Sequence, residues 1–121
     1  MTATGLSTEA PEYRSRLAEQ PDEQIDAWAA ELMRDVAIRR GVLRVVEDFR
    51  RAAGVTEAAI ERMFALGGGS PATIGRDASG RLMVPAISLH HLVPGVRAAL
   101  PDGRERLIEY LVENFDELVY V

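Results

Sequence analysis

The sequence contains no cysteine and no lysine, and each absence excludes a class of chemistry. Without cysteine there are no disulfides, no thiolate metal sites and no cysteine nucleophile. Without lysine there is neither a Schiff-base amine nor the lysine that phosphate-binding loops require. All fourteen basic side chains are arginine, a usage that a G+C-rich genome favours.

Long apolar runs are also missing, and the sequence has only two histidines. No run approaches the roughly 18 residues that a membrane helix needs, and residues 1–10 lack the features of a secretory signal. We therefore expect a cytoplasmic protein with no membrane partner. The only histidines, His90 and His91, are adjacent, so their side chains point in different directions on a helix or strand and are poorly placed to share a metal ion. With no nucleophile motif either, we predict no catalytic site, no metal and no cofactor.

The length and the apolar content predict a single domain. The chain has 121 residues, of which 47% are hydrophobic, enough to bury one core without covalent or metal cross-links. Residues 1–8 are small and polar, and we expect them to form a disordered tail. The predicted globular domain covers residues 9–121.

Helical periodicity dominates the sequence. Apolar residues at helical spacing follow Pro21 and continue on a wider face from 42 to 53. Either one long helix bends at Gly41 or two helices meet there, and we favour a bent or continuous helix. The first stripe consists of Ile25, Trp28, Ala29, Leu32, Met33, Val36 and Ala37. Gly54 is the predicted C-cap, and Thr56 the N-cap of a helix ending near Leu66. Asp102, with Glu105 three residues later, predicts the start of the last helix.

The segment from Leu66 to Pro85 is the part that does not fit a helix throughout. Asp77 and Gly80 suit the first and last positions of a type I turn, and β-prone residues flank them at 73–74 and 82–84. We predict a hairpin here, to which the C-terminal residues 118–121 add a third strand. Beyond it, we expect Pro94-Gly95 to divide residues 86–100 into two pieces. The predicted fold is mainly α, a compact helical bundle with a small β-hairpin, and α+β if the tail adds its strand.

The net charge of −5 is unevenly spread. Residues 34–51 carry six arginines against three acids, whereas both ends of the chain are acidic. We expect these arginines to form ion pairs with the acidic terminal helix of the same chain. The alternative is that they form a weak nucleic-acid-binding surface. Arg40, Arg44 and Arg51 are spaced to lie near one helix face, while Arg76 and Arg81 flank the hairpin turn. These five arginines form the candidate interaction surface.

One family resemblance bears on function. Helix 56–66, a glycine turn and the segment Ser70-Pro71-Ala72-Thr73-Ile74 resemble the second and third helices of repressor-type helix-turn-helix proteins. In that family, the third helix enters the major groove of DNA. The chain departs from the pattern after Ile74, because Gly75 and the turn at 77–80 leave a third helix barely one turn long.

These observations favour a small non-catalytic binding or regulatory protein that acts through protein–protein contacts. The apolar face of residues 42–53 and the apolar tail at 118–121 can exceed what one small core covers. The expected partner is therefore another protein or a second copy, giving a homo-oligomer. The alternative that the resemblance implies is a DNA-binding transcriptional regulator with a degenerate helix-turn-helix at 56–81.

Overall fold

The computed structural model describes residues 12–68, 75–80 and 82–114, the side chains of residues 86 and 87 excepted. It confirms the predicted mainly helical fold with a small antiparallel hairpin. In chain order, the elements are α1 (residues 12–18), α2 (Asp22–Arg40), α3 (Val42–Ala53), α4 (Glu57–Leu66), β1 (Gly75–Arg76), β2 (Leu82–Met83), a 3-10 helix (Ala86–His91), α5 (Leu92–Ala99) and α6 (Gly103–Glu113). The predicted tail 1–8, the strand residues 73–74 and the C-terminal strand 118–121 lie outside the described residues.

A single apolar core joins all the helices. Helix α2 packs against α3 and α6, while α4 packs against α5. Phe49 of α3 and Tyr110 of α6 meet edge to face in this core, with ring centroids 5.9 Å apart. Leu17 of α1 is also buried there, so the short first helix belongs to the same hydrophobic unit. None of the helices in the described ranges has the length and apolar content to cross a bilayer.

Gly41 separates two helices, so the prediction of one bent or continuous helix is wrong. Its φ of +96° and ψ of 155° lie outside the helical region and in a conformation that glycine adopts without steric cost. Its N–H donates to the carbonyl of Ala37 at 2.9 Å and closes α2. Arg40 therefore ends one helix while Arg44 and Arg51 lie on the next, so the three do not share one helix face as predicted.

Residues 86–100 form two pieces as predicted, the 3-10 helix and α5, but the division falls between His91 and Leu92, so its predicted position at Pro94 and Gly95 is wrong. Pro94 occupies the first turn of the helix, where a backbone N–H has no helical partner to lose. Gly95 lies where α4 and α5 touch, since a Cβ there would come within 1.7 Å of the Met63 carbonyl oxygen. Gly67, the residue after α4, also allows a close approach, because a Cβ there would lie 1.9 Å from the His91 carbonyl oxygen.

The predicted helix ends are largely confirmed. Gly54 takes the left-handed conformation after α3, with φ +69°. The Thr56 hydroxyl accepts a hydrogen bond from the Ala59 N–H at 3.1 Å and caps α4. Asp102 is the N-cap residue of α6, but its carboxylate makes no capping bond and instead accepts from Arg106 at 3.0 Å.

The hairpin turn forms where the sequence predicts it. The Gly80 N–H donates to the Asp77 carbonyl at 2.9 Å, and the Asp77 carboxylate accepts from the Ser79 N–H at the same distance. The strands pair antiparallel, with Gly75 opposite Met83. This turn brings Arg76 beside the N-terminal half of α4.

Candidate functional site

Arg76, a predicted interaction residue, ties the hairpin to α4. Its guanidinium contacts Glu57 Oε1 at 2.5 Å and Glu61 Oε1 at 2.7 Å. The second Glu57 oxygen accepts a hydrogen bond from the Leu82 N–H at 3.3 Å. The bond from Arg76, and then that from Leu82, hold the pKa of Glu57 below its usual value. Two carboxylates thus bind the guanidinium of Arg76. Arg81, the other predicted interaction residue of the hairpin, lies outside the described residues.

Arg44 and Arg51 converge on one carboxylate of their own helix. Asp48 lies between them, 3.1 Å from Arg44 Nε and 2.8 Å from Arg51 Nη2, and its side chain is only 7% exposed. Burying a carboxylate is costly unless it is paired, so these arginines serve the stability of α3. The expected pairing with the acidic terminal helix is not what the structure shows for them: Glu109 of α6 binds Arg14 at 2.9 Å instead.

Charge pairing between distant parts of the chain involves other arginines. Arg97 of α5 contacts Asp26 at 2.9 Å and Asp22 at 3.2 Å. Arg104 of α6 contacts Asp22 at 2.7 Å and donates to the carbonyls of Ala18 and Gln20, so it holds the end of α1. The guanidinium groups of Arg97 and Arg104 beside Asp22 hold the pKa of its carboxyl below its usual value. These arginines link helices and are not free to bind an external anion.

A hollow of about 570 Å³ lies beside α2, and its lining residues take no part in the ion pairs described above. Its walls come from one side of α2 and from the 3-10 helix. We call it the α2 groove; within the described part of the chain, its lining residues are Ala27, Ala30, Glu31, Arg34, Ala37, Ile38, Leu89 and His90. The volume is in the range of protein binding sites.

The α2 groove combines an apolar floor with two exposed charges. Ile38 is 77% exposed, the highest value among the large apolar side chains that the structure describes. Glu31 and Arg34 are both exposed, and neither makes an ion pair with any described residue. An apolar surface with a few polar groups is the usual composition of a binding site.

His90 lies at the edge of the groove, and its ring contacts that of His91 in a tilted arrangement, with centroids 3.9 Å apart and an interplanar angle of 40°. His91 Nδ1 is 3.1 Å from the carbonyl oxygen of Gly67, so this second ring joins the 3-10 helix to the end of α4. No group of three histidine or acidic side chains in the described ranges could hold a metal ion. His90 therefore borders the groove, while His91 contacts the end of α4.

The periodicity of the sequence missed the α2 groove because it identifies the buried face of a helix. The predicted stripe of α2 is largely buried, with Ile25, Ala29, Leu32, Met33 and Val36 all in the core. The signal of the groove was a large apolar residue, Ile38, on the opposite, polar face. Similarly, the wide apolar face of α3 is mostly in the core, with Leu43 left 38% exposed.

The chain matches no protein-family model, no curated protein and no solved structure.

Proposed function

We propose that this is a non-catalytic binding or regulatory protein of the cytoplasm, and that it binds another polypeptide through the α2 groove. The observation that carries the proposal is the groove itself, about 570 Å³ beside α2, with Ile38 exposed at its end. Fully burying an isoleucine side chain contributes about 1.5–3 kcal/mol. Because Ile38 is 77% exposed among the described residues, a partner that covers it gains most of this free energy.

The shape of the groove favours a helical partner. Its α2 residues run from Ala27 to Ile38, a length of roughly 16 Å at the rise of an α-helix. That length accommodates about three turns of a second helix. Helices dock into such grooves through side chains at i, i+3, i+4 and i+7, and no special backbone geometry is needed.

The distribution of paired charges supports a protein partner over a nucleic acid. A phosphate-binding surface needs several cations that are free to meet the backbone. Of the five predicted interaction arginines, Arg44, Arg51 and Arg76 are engaged with carboxylates. The groove contributes one arginine, Arg34, beside the acidic Glu31.

Site-specific photo-crosslinking in living cells tests the proposal. A benzophenone side chain placed at Ala27 should form covalent adducts with a polypeptide, identified by peptide sequencing. The same group at Ala58, an exposed alanine of α4, provides the control. An Ile38→Asp change should abolish the Ala27 adducts. Equal labelling from the two positions, or adducts that survive Ile38→Asp, would contradict binding through the α2 groove.

A further inference from the structure

We infer that the α2 groove binds the α2 helix of a second copy of this chain, with the two helices antiparallel across a two-fold axis. The inference rests on the proposed function and names the partner. It stands on three observations: the spacing of the exposed residues on α2, their sizes and their charges.

Four exposed groove residues follow the spacing of a helix–helix seam. Ala27, Glu31, Arg34 and Ile38 are separated by four, three and four positions. Alternation of three and four keeps side chains on one face of a helix, where they meet a neighbouring helix as knobs in holes. This seam is separate from the buried stripe of α2, so it is available to a partner.

A two-fold axis midway between Glu31 and Arg34 pairs these positions with each other. In an antiparallel pair, residues equally distant from the axis lie opposite one another, and each contact occurs twice. Glu31 of one copy then faces Arg34 of the other. Ala27 of one copy faces Ile38 of the other.

Both pairings are complementary. Ile38 is large and 77% exposed, while Ala27, which lines the same groove, is small and leaves room for it. Glu31 and Arg34 find opposite charges in the second copy, although neither has an ion-pair partner among the described residues of its own protomer. A parallel pair would set Glu31 against Glu31 and Arg34 against Arg34, and such like-charge contacts are unfavourable. The charges therefore favour the antiparallel arrangement.

Charge reversal and charge exchange, measured by sedimentation equilibrium on the full chain, test this pairing. The wild type should be a dimer whose dissociation constant rises at least about tenfold with Glu31→Arg or Arg34→Glu, because each change creates two like-charge contacts. The double exchange Glu31→Arg with Arg34→Glu should restore the dissociation constant to within about threefold of wild type, since it recreates both attractive pairs. Arg62→Glu, a reversal at an exposed arginine of α4, is the control and should change it by less than about twofold.

The possible outcomes separate this inference from the proposed function. A wild-type monomer, a dimer indifferent to the single reversals, or a double exchange without rescue would each overturn the antiparallel pair. Ile38→Ser, at a side chain outside the core, is an independent test: it should weaken the dimer and leave the far-UV circular dichroism unchanged.

If the chain is monomeric while Ala27 crosslinks to a different polypeptide, the inference that the partner is a second copy is wrong and the proposed function stands. A monomer with no Ala27 polypeptide adduct overturns both.

Discussion

Replacing Gly95 by alanine should destabilise the protein, although the same change in most helices stabilises it. Alanine is favoured over glycine in a helix interior by about 1 kcal/mol. At Gly95, however, the new methyl group would lie 1.7 Å from the carbonyl oxygen of Met63, half of the 3.4 Å at which ordinary contacts begin. Backbone cannot rotate away from the clash, so α4 and α5 must separate.

The cost of that separation exceeds the helix-propensity gain. The two helices meet through side chains that are almost completely buried, including Met63 and Phe64 of α4 and Leu92 and Val96 of α5. Over-packing of a well-filled core typically costs 1–3 kcal/mol. A clash with the backbone belongs at the upper end of this range, about 3 kcal/mol. Subtracting the gain in helix propensity of about 1 kcal/mol, we expect the free energy of unfolding to fall by about 2 kcal/mol.

Urea unfolding followed by circular dichroism measures this loss. With a denaturant slope of about 1.5 kcal/mol/M, the midpoint should fall by roughly 1.3 M. Ala98→Gly, at an exposed position of the same helix, calibrates the propensity term and should cost about 1 kcal/mol. A midpoint for Gly95→Ala at or above that of the wild type would refute the reasoning.

Three further predictions concern the elements around this core. Thr56→Ala should cost about 1 kcal/mol in urea unfolding through loss of the α4 cap, whereas Thr56→Ser should retain most of it. The pKa of Glu57 is lower in the folded than in the unfolded chain, so its contribution to the free energy of unfolding is complete above the unfolded pKa and is lost as the pH falls through the folded pKa. The difference in urea midpoint between wild type and Glu57→Gln should therefore be full at pH 6 and shrink below about pH 4. Arg104→Ala removes donors to carbonyls at the end of α1, and amide exchange in residues 12–18 should accelerate roughly tenfold, while Arg62→Ala should leave it unchanged.

Local physics was sufficient for many elements of this fold. The cap at Thr56, the left-handed Gly54 and the Asp77–Gly80 turn depend on residues within four positions of one another. The inward stripe of α2 depends on the helical period alone. Each of these features can be read from a short window of sequence because the interactions that fix it are local.

The features that the sequence did not predict depend on contacts between distant segments. At Gly95 the local pattern shows only a Pro-Gly pair, whereas the close approach of α4 to this glycine depends on a segment distant in sequence. Arg76 resembles a free cation on a turn until Glu57 and Glu61 are brought beside it. Gly41 is the opposite case. The break between α2 and α3 is local, as the positive φ of Gly41 shows, but the helical periodicity on both sides of it favoured one continuous helix.

An exposed isoleucine is common on protein surfaces and by itself indicates nothing. Ile38 becomes informative because of what shares its helix face. The small Ala27 lies eleven positions away, and the two charges that make no ion pair with described residues, Glu31 and Arg34, lie symmetrically between them. The inferred pairing of two copies accounts for size and charge being complementary about one point. A two-fold contact between copies requires that relation, because every residue on the seam must suit the residue opposite it.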